Sequence, residues 1–76
     1  MTQKRLNNVT KIANAYLESA GRKKLTRNQV LRICVEISEF CIKAYGVDES
    51  YIMYNYPELD LGSDVYGYVM NGGCTL

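Results

Sequence analysis

Residues 26–46 read TRNQVLRICVEISEFCIKAYG and carry the longest helical pattern of the chain. Thr26 with Gln29 three residues later predicts a capping box, in which each side chain satisfies a free backbone amide at the start of a helix. Gly46 predicts the end of the helix, because helices commonly stop at a glycine in the left-handed conformation. We therefore predict a helix from about residue 27 to about residue 45.

The apolar surface of this helix is unusually wide, because its polar residues form one narrow stripe. A helix that is apolar over so wide an arc has to be covered on two sides. Another helix can cover one side, and either the C-terminal segment or a second copy of the chain has to cover the other. The polar stripe, with two opposite-charge pairs four residues apart, consists of Gln29, Arg32, Glu36, Glu39 and Lys43.

Upstream of this helix, apolar residues recur in steps of three and four, as on one face of a helix. Gly21 follows them as a stop signal. We predict a first helix over residues 4–20, packed antiparallel against the helix at 27–45. The apolar positions are Leu6, Val9, Ile12, Ala13, Tyr16, Leu17 and Ala20.

Downstream of Gly46 the pattern predicts one short third helix. Asp48 is a good N-cap, and Pro57 prevents the continuation of a helix that begins at residue 49. We place this helix at about 49–55.

The periodicity changes to two in the C-terminal segment, residues 58–76. Leu59 and Leu61 alternate with acidic residues, Gly62-Ser63-Asp64 is typical of a turn, and residues 65–70 form a tyrosine-rich strand candidate. We expect a short C-terminal β-hairpin or extended segment here. The predicted fold class is therefore mostly α, a small α+β domain.

With 76 residues, the chain has room for one domain, 1–76. No stretch approaches the roughly 20 apolar residues needed to span a bilayer. The first residues, MTQKRLNNVTK, lack the apolar run of a secretory signal. We expect a cytoplasmic protein that has no membrane partner.

The residue types argue against an enzyme, because the chain has no histidine and therefore no Ser-His or Cys-His pair. Carboxylate–tyrosine chemistry is available from Asp60 and Asp64, but nothing in their spacing favours it. Cys34 and Cys41 would lie about 10 Å apart on one helix, too far for a disulfide or a shared zinc. We expect both as small buried hydrophobes, and Cys74 as an incidental free thiol. We expect no catalysis, no cofactor and no metal.

Charge is divided sharply along the chain. Residues 1–45 carry nine basic and three acidic side chains, a net charge of +6, whereas residues 46–76 carry five acidic side chains and no base, a net charge of −5. Such a division bears on partners, or on docking of one half against the other, more than on fold.

The basic cluster Arg22, Lys23, Lys24 and Arg27 lies before and at the start of the 27–45 helix. The free amides and positive dipole end of a helix favour an anion such as a phosphate. The cluster thus predicts contact with a nucleic-acid backbone, in a small dimeric regulator. The alternative is a solvated loop that the acidic half of the molecule partly neutralises.

Residues 39–55, EFCIKAYGVDESYIMYN, resemble the turn of a helix-turn-helix. Gly46 would be the turn glycine, and Ile52 the buried residue of the second helix. Ile42 and Asn55 depart from the usual small and apolar residues, and the second helix carries acidic residues that DNA phosphates repel. An ordinary turn between two helices explains the same pattern.

Tyrosines and carboxylates alternate from residue 51 onward. Tyrosine is enriched at protein interfaces because it offers a large, rigid contact with a polar tip, and carboxylates around it favour a basic partner. We therefore predict a non-catalytic protein-binding module, a small regulator or inhibitor of the kind common in phages and mobile elements, with homo-oligomerisation through helix 27–45 as a further option. The predicted protein-binding residues are Tyr51, Tyr54, Tyr56, Glu58, Asp60, Asp64, Tyr66 and Tyr68. The alternative is that some of these tyrosines cover the second side of helix 27–45, and for Tyr66 and Tyr68 the two interpretations are equal.

Overall fold

A computed structural model describes residues 1–48 and 50–72. This part of the chain holds four helices and no strand, within extents of 34 × 26 × 18 Å. The helices are α1 (Gln3–Ser19), α2 (Arg27–Tyr45), a π-helix (Tyr51–Asn55) and α3 (Glu58–Met70).

The two ends of α2 confirm the prediction from the sequence. The Gln29 backbone N–H donates to Thr26 Oγ1 at 3.2 Å, and the Thr26 backbone N–H donates to Gln29 Oε1 at 2.9 Å, which completes the capping box. Gly46 adopts the left-handed conformation with φ of 68°, and its N–H donates to the Ile42 carbonyl at 3.0 Å. The helix therefore begins and ends where its local signals place it.

The predicted first helix is also present, shifted by one residue. Thr2 caps it, because its side chain accepts a hydrogen bond from the Arg5 backbone N–H at 3.2 Å. The helix ends at Ser19, and Gly21 follows with φ of 73°. α1 packs against α2, but its most extensive contact is with α3.

The prediction of a C-terminal hairpin is wrong, because residues 58–70 form α3. Leu61, Gly62 and Val65 are buried at helical spacing, so packing against the rest of the molecule overrides the local alternation. Glu58 and Asp60 in the first turn favour the helix through its dipole. Residues 73–76, the end of the predicted hairpin, lie outside the described residues.

Close packing against α1 explains why α3 contains Gly62, although glycine disfavours helices. A Cβ atom at this position would lie 2.7 Å from Ile12 Cβ and 3.4 Å from the Ala13 backbone nitrogen, so the two helices approach too closely for a side chain. The local cost of glycine in a helix, about 1 kcal/mol relative to alanine, is offset by this close packing.

α1 and α3 run parallel, in a contact that we call the α1–α3 seam. Three contacts along the seam each join residues that are fifty positions apart in the sequence. The residue numbers of both helices increase in the same direction along the seam. The pairs are Asn8 with Glu58 (3.2 Å, Nδ2 to Oε1), Ile12 with Gly62, and Tyr16 with Tyr66 (ring centroids 5.4 Å apart).

The core lies between the four helices and contains one buried cation. Apolar residues from all four helices pack together, and Arg5 lies beside them, only 9% exposed. The buried apolar residues of this cluster are Val9, Ala13, Val30, Ile33, Cys34, Ile52, Met53, Leu61 and Val65.

The predicted third helix is the π-helix Tyr51–Asn55. Asp48 caps the turn before it, accepting from the Ser50 backbone N–H at 3.0 Å. Glu49 lies outside the described residues. No helix in the described ranges is both long and apolar enough to cross a membrane.

Arg5 fastens this π-helix to α1. Its Nε donates to the Met53 carbonyl at 2.8 Å and its Nη2 to the Ile52 carbonyl at 2.9 Å, and Nη2 also donates to the Tyr56 carbonyl. These carbonyls belong to the end of a helix, where backbone acceptors lack intrahelical partners. One guanidinium therefore satisfies three backbone acceptors across about fifty residues of sequence.

Candidate protein-binding surface

All eight predicted protein-binding residues lie on the π-helix, just after it, or on α3, and contacts connect several members of one group of five. We call these five the acidic–tyrosine strip: Tyr51, Tyr54, Tyr56, Asp60 and Asp64.

Tyr56 is the centre of the strip. Its ring meets that of Tyr51 edge to face, with centroids 5.8 Å apart, and its hydroxyl donates to Asp64 Oδ2 at 2.9 Å. This hydrogen bond, with partial burial and the charges of Asp64 and Asp60, raises the pKa of Tyr56 to about 12. The phenol is therefore a fixed donor near neutral pH, not a base or nucleophile.

Tyr54 is the most accessible ring of the strip, 57% exposed. It lines a shallow cleft of about 310 Å³ together with Asp48, Ser50 and Met53. Asp60 and Asp64 are also exposed. The strip therefore combines accessible aromatic surface with accessible carboxylates, the combination that the sequence predicts for a protein interface.

The other three predicted residues contact α1 or α2. Glu58 accepts a hydrogen bond from Asn8, and Tyr66 stacks on Tyr16. The Tyr68 hydroxyl donates a hydrogen bond to Glu36 on α2. Tyr66 and Tyr68 would share one face of a strand, but residues two apart on a helix point in very different directions. They contribute to packing between helices instead of to one common surface.

The basic cluster is divided in a similar way. Lys24 Nζ lies 2.8 Å from Glu18 Oε1, and the hydrogen bond to Glu18, with its charge, raises the pKa of Lys24. Arg27 donates to the side-chain oxygens of Gln3 and Asn7, both at 3.0 Å.

Arg22 and Lys23 are the members of the basic cluster that stay exposed and outside these contacts. They line an open groove of about 620 Å³, with Leu25 and the end of α3 at Val69 and Met70. The groove thus joins a cationic edge to apolar lining.

Among the described residues, no ion pair joins the basic half of the chain to the acidic half. Across residues 1–48 and 50–72, the one ion pair is Lys24–Glu18, and both partners belong to the basic half. Because α1 and α3 run parallel, the loop at residues 20–26 lies near the C-terminal ends of both helices, whereas Glu58 and Asp60 lie at the start of α3. The basic loop and the acidic start of α3 are therefore separate regions.

Cys34 and Cys41 are the thiols that the structure describes. Cys34 is buried, and burial raises its pKa to about 11 despite the opposing charge of Arg5, so it stays a neutral thiol. Cys41 is half-buried, and Cys74 lies outside the described residues. Within the described ranges, no group of three or more potential ligands could hold a metal ion.

A second exposed aromatic pair was not among the predicted site residues. Phe40 and Tyr45, near the end of α2, are 62% and 75% exposed, and their rings meet edge to face with centroids 6.3 Å apart. The wide apolar arc of α2 was the signal for them. That arc indicated an apolar face that other residues have to bury, but it did not show which of its residues would stay exposed.

The segment that resembles a helix-turn-helix has Gly46 in the left-handed conformation and Ile52 buried. The helix that follows the turn is the five-residue π-helix, which carries no basic residue.

Comparison of the chain with protein-family models, with curated proteins and with solved structures finds no match. Its function therefore has to be inferred from its exposed residues.

Proposed function

We propose that this chain is a non-catalytic protein-binding module, a small regulator or inhibitor that acts through the acidic–tyrosine strip. The observation that supports this proposal best is the exposure of Tyr54 beside Asp48, with Tyr51, Asp60 and Asp64 also at the surface. Its small size and composition associate it with phage and mobile-element proteins that occupy a host target.

The partner that suits this strip is a protein with a basic surface. Tyrosine rings bury a large area with little loss of side-chain entropy, which favours them as anchors. Asp60 and Asp64 supply negative charge, and no base occurs from Gly46 onward. Opposite charges across an interface mainly accelerate association and select the partner.

Quantitative pull-down with variants tests this proposal. Tyr54→Ala removes an exposed ring from the strip, and Tyr16→Ala is the matched control, because Tyr16 is a partly exposed tyrosine on α1. We expect the wild-type chain to retain one protein. Tyr54→Ala and the Asp60→Asn/Asp64→Asn double variant should each weaken the binding of that protein by tenfold or more, on the order of 1.4 kcal/mol. Tyr16→Ala should keep that protein. Equal retention by all variants, or no retained protein, contradicts the proposal.

A second candidate function is nucleic-acid binding through the basic loop. The exposure of Arg22 and Lys23 beside an open groove favours it. Lys24 and Arg27 are engaged with other side chains, so the phosphate-binding set is smaller than the sequence predicts. Such a site would bind weakly and with strong dependence on salt.

Retention on duplex and single-stranded DNA at low salt tests this second function. Arg22→Ala/Lys23→Ala should abolish a salt-sensitive interaction, whereas Lys11→Ala, an exposed lysine on α1, should preserve it. Absence of retention by the wild-type protein at low salt rejects nucleic-acid binding.

A further inference from the structure

The C-terminal half of α2 carries its apolar face beyond the part that the other helices cover. Ile33 is buried, Ile37 is half-buried, and Phe40 and Ala44 are exposed. These residues follow one another in steps of three and four, so they lie on one face of the helix. The single phenylalanine of the chain is therefore on a helix face that leaves the core.

Glu36 and Lys43 lie along one edge of this face. They are seven residues apart, which places them only about 20° apart around an α-helix of 3.6 residues per turn. Both side chains are exposed, and neither belongs to an ion pair in the described part of the chain. Glu36 accepts a hydrogen bond from the Tyr68 hydroxyl, and no cation in the described part of the chain lies within ion-pair distance of its carboxylate.

We propose that this surface binds a second copy of the chain in an antiparallel, two-fold symmetric contact. We call it the Phe40 face, and it comprises Ile37, Phe40 and Ala44, with Glu36 and Lys43 at the edge. It uses no residue of the acidic–tyrosine strip, so it goes beyond the proposed function and does not depend on it.

The order of the charges is what selects a second copy as the occupant. At 1.5 Å of rise per residue, Glu36 lies about 6 Å before Phe40 and Lys43 lies about 4.5 Å after it. A two-fold axis through the level of Phe40 therefore brings Glu36 of one copy level with Lys43 of the other, to within about 1.5 Å.

The same axis keeps the charged edges of the two helices on the same side, so two Glu36–Lys43 pairs form beside the two Phe40 rings. In a parallel arrangement the two-fold axis would run along the helices and would place the two charged edges on opposite sides of the contact, so that no Glu36–Lys43 pair would form. The Phe40 face is thus complementary to itself only in the antiparallel orientation, which is the property of an isologous interface.

Sedimentation of the purified chain from about 10 µM to about 1 mM, the range of a weak complex, tests the proposal. We expect the wild-type mass to rise from monomer to dimer, and Phe40→Ala to weaken the dimer by about tenfold or more. Lys43→Glu should weaken it about 3- to 10-fold through repulsion from Glu36, and Glu36→Lys/Lys43→Glu should restore it to within about threefold.

Lys11→Glu on α1 makes the same change of charge as Lys43→Glu and should leave the dimer unchanged. Ala44→Glu gives a second way to disrupt the Phe40 face without removing an aromatic ring, and circular dichroism shows whether each variant keeps its helices. A wild-type protein that stays monomeric throughout, which would leave the face to another protein, overturns the proposal. So does a dimer that survives both Phe40→Ala and Ala44→Glu, or a double charge swap no better than Lys43→Glu alone.

Discussion

The α1–α3 seam and the C-terminal half of α2 both carry apolar residues, but with opposite results for burial. In the seam, Ala13 and Gly62 are small enough for two helices to approach closely, and Val9, Leu17 and Leu61 are fully buried. In the C-terminal half of α2, Phe40 and Tyr45 contact each other but stay largely exposed.

The difference shows that hydrophobicity alone does not set burial in a chain of this size. A small domain covers only part of its apolar surface. Burial goes first to faces that meet a surface of complementary shape, because close packing requires it. Apolar area without such a counterpart stays available for another molecule.

The largest effect should come from Arg5, which fastens the π-helix to the packed part of the molecule. Arg5→Ala leaves three carbonyls without their donor, and we expect a loss of about 3–5 kcal/mol in the free energy of unfolding. Urea unfolding measures the loss. Lys4→Ala, at the exposed neighbouring position, should change stability by less than about 0.5 kcal/mol. A loss below about 1 kcal/mol for Arg5→Ala would mean that these bonds do not hold the π-helix in place.

The second-largest effect is a loss of stability at alkaline pH, which Cys34 in the core should cause. Burial raises the pKa of Cys34 from its ordinary 9.0 to about 11. Between pH 9 and about 11, the thiol is therefore protonated in the folded state and deprotonated in the unfolded chain. The stabilisation is complete below pH 9 and is lost as pH rises toward 11, by roughly 2–3 kcal/mol in total. Urea unfolding across this range should show the decrease for wild type and for Cys41→Ala, and a flatter profile for Cys34→Ala. Equal slopes for all three would contradict the assignment to Cys34.

Two glycines of α3 provide a matched test of the seam. Gly62→Ala should cost about 1–2 kcal/mol, because overpacking against Ile12 outweighs the better helix propensity of alanine. Gly67→Ala meets no atom within 4 Å and should stabilise the fold by up to about 1 kcal/mol. Thermal unfolding of both variants decides the matter. If both variants gain stability, the seam is looser than its geometry indicates.

The smallest effect should be at the exposed end of α2. At a concentration where the chain is monomeric, Phe40→Ala should change the free energy of unfolding by less than about 0.5 kcal/mol, because its ring is 62% exposed. Ile33→Ala, on the same helix but buried, should cost about 2–5 kcal/mol. Comparable losses in the two variants would remove the contrast between covered and uncovered parts of α2.

Local sequence signals were sufficient to predict α1 and α2 but not α3. The capping box at Thr26 and the glycine at position 46 act through neighbouring backbone groups, so the sequence contains their whole explanation. Gly62 has a role only because Ile12 lies against it, and no local pattern reports a contact over fifty residues. The turn-like Gly62-Ser63-Asp64 therefore favoured a hairpin that tertiary packing replaced with a helix.

The candidate surface was predictable in composition but not in arrangement. The exposed tyrosines and carboxylates of the acidic–tyrosine strip could be named from the sequence, whereas the shared face expected for Tyr66 and Tyr68 depended on a strand that the structure replaces with a helix. Arg5 was counted only as one of the nine basic residues of the chain. Its spacing of four and eight residues from Val9 and Ala13 was the available sign that it continues a buried row.

The parallel course of α1 and α3 also affects how the chain reaches its fold. Most small helical bundles form early contacts between consecutive helices, which keeps loop closure short and folding fast. Here the most extensive packing of α1 awaits a helix that begins at residue 58, and the carbonyls that Arg5 binds come from residues 52, 53 and 56. During synthesis, α1 would therefore wait for its main partner until most of the described chain had been made. We expect slower folding than for a bundle of consecutive hairpins of the same length.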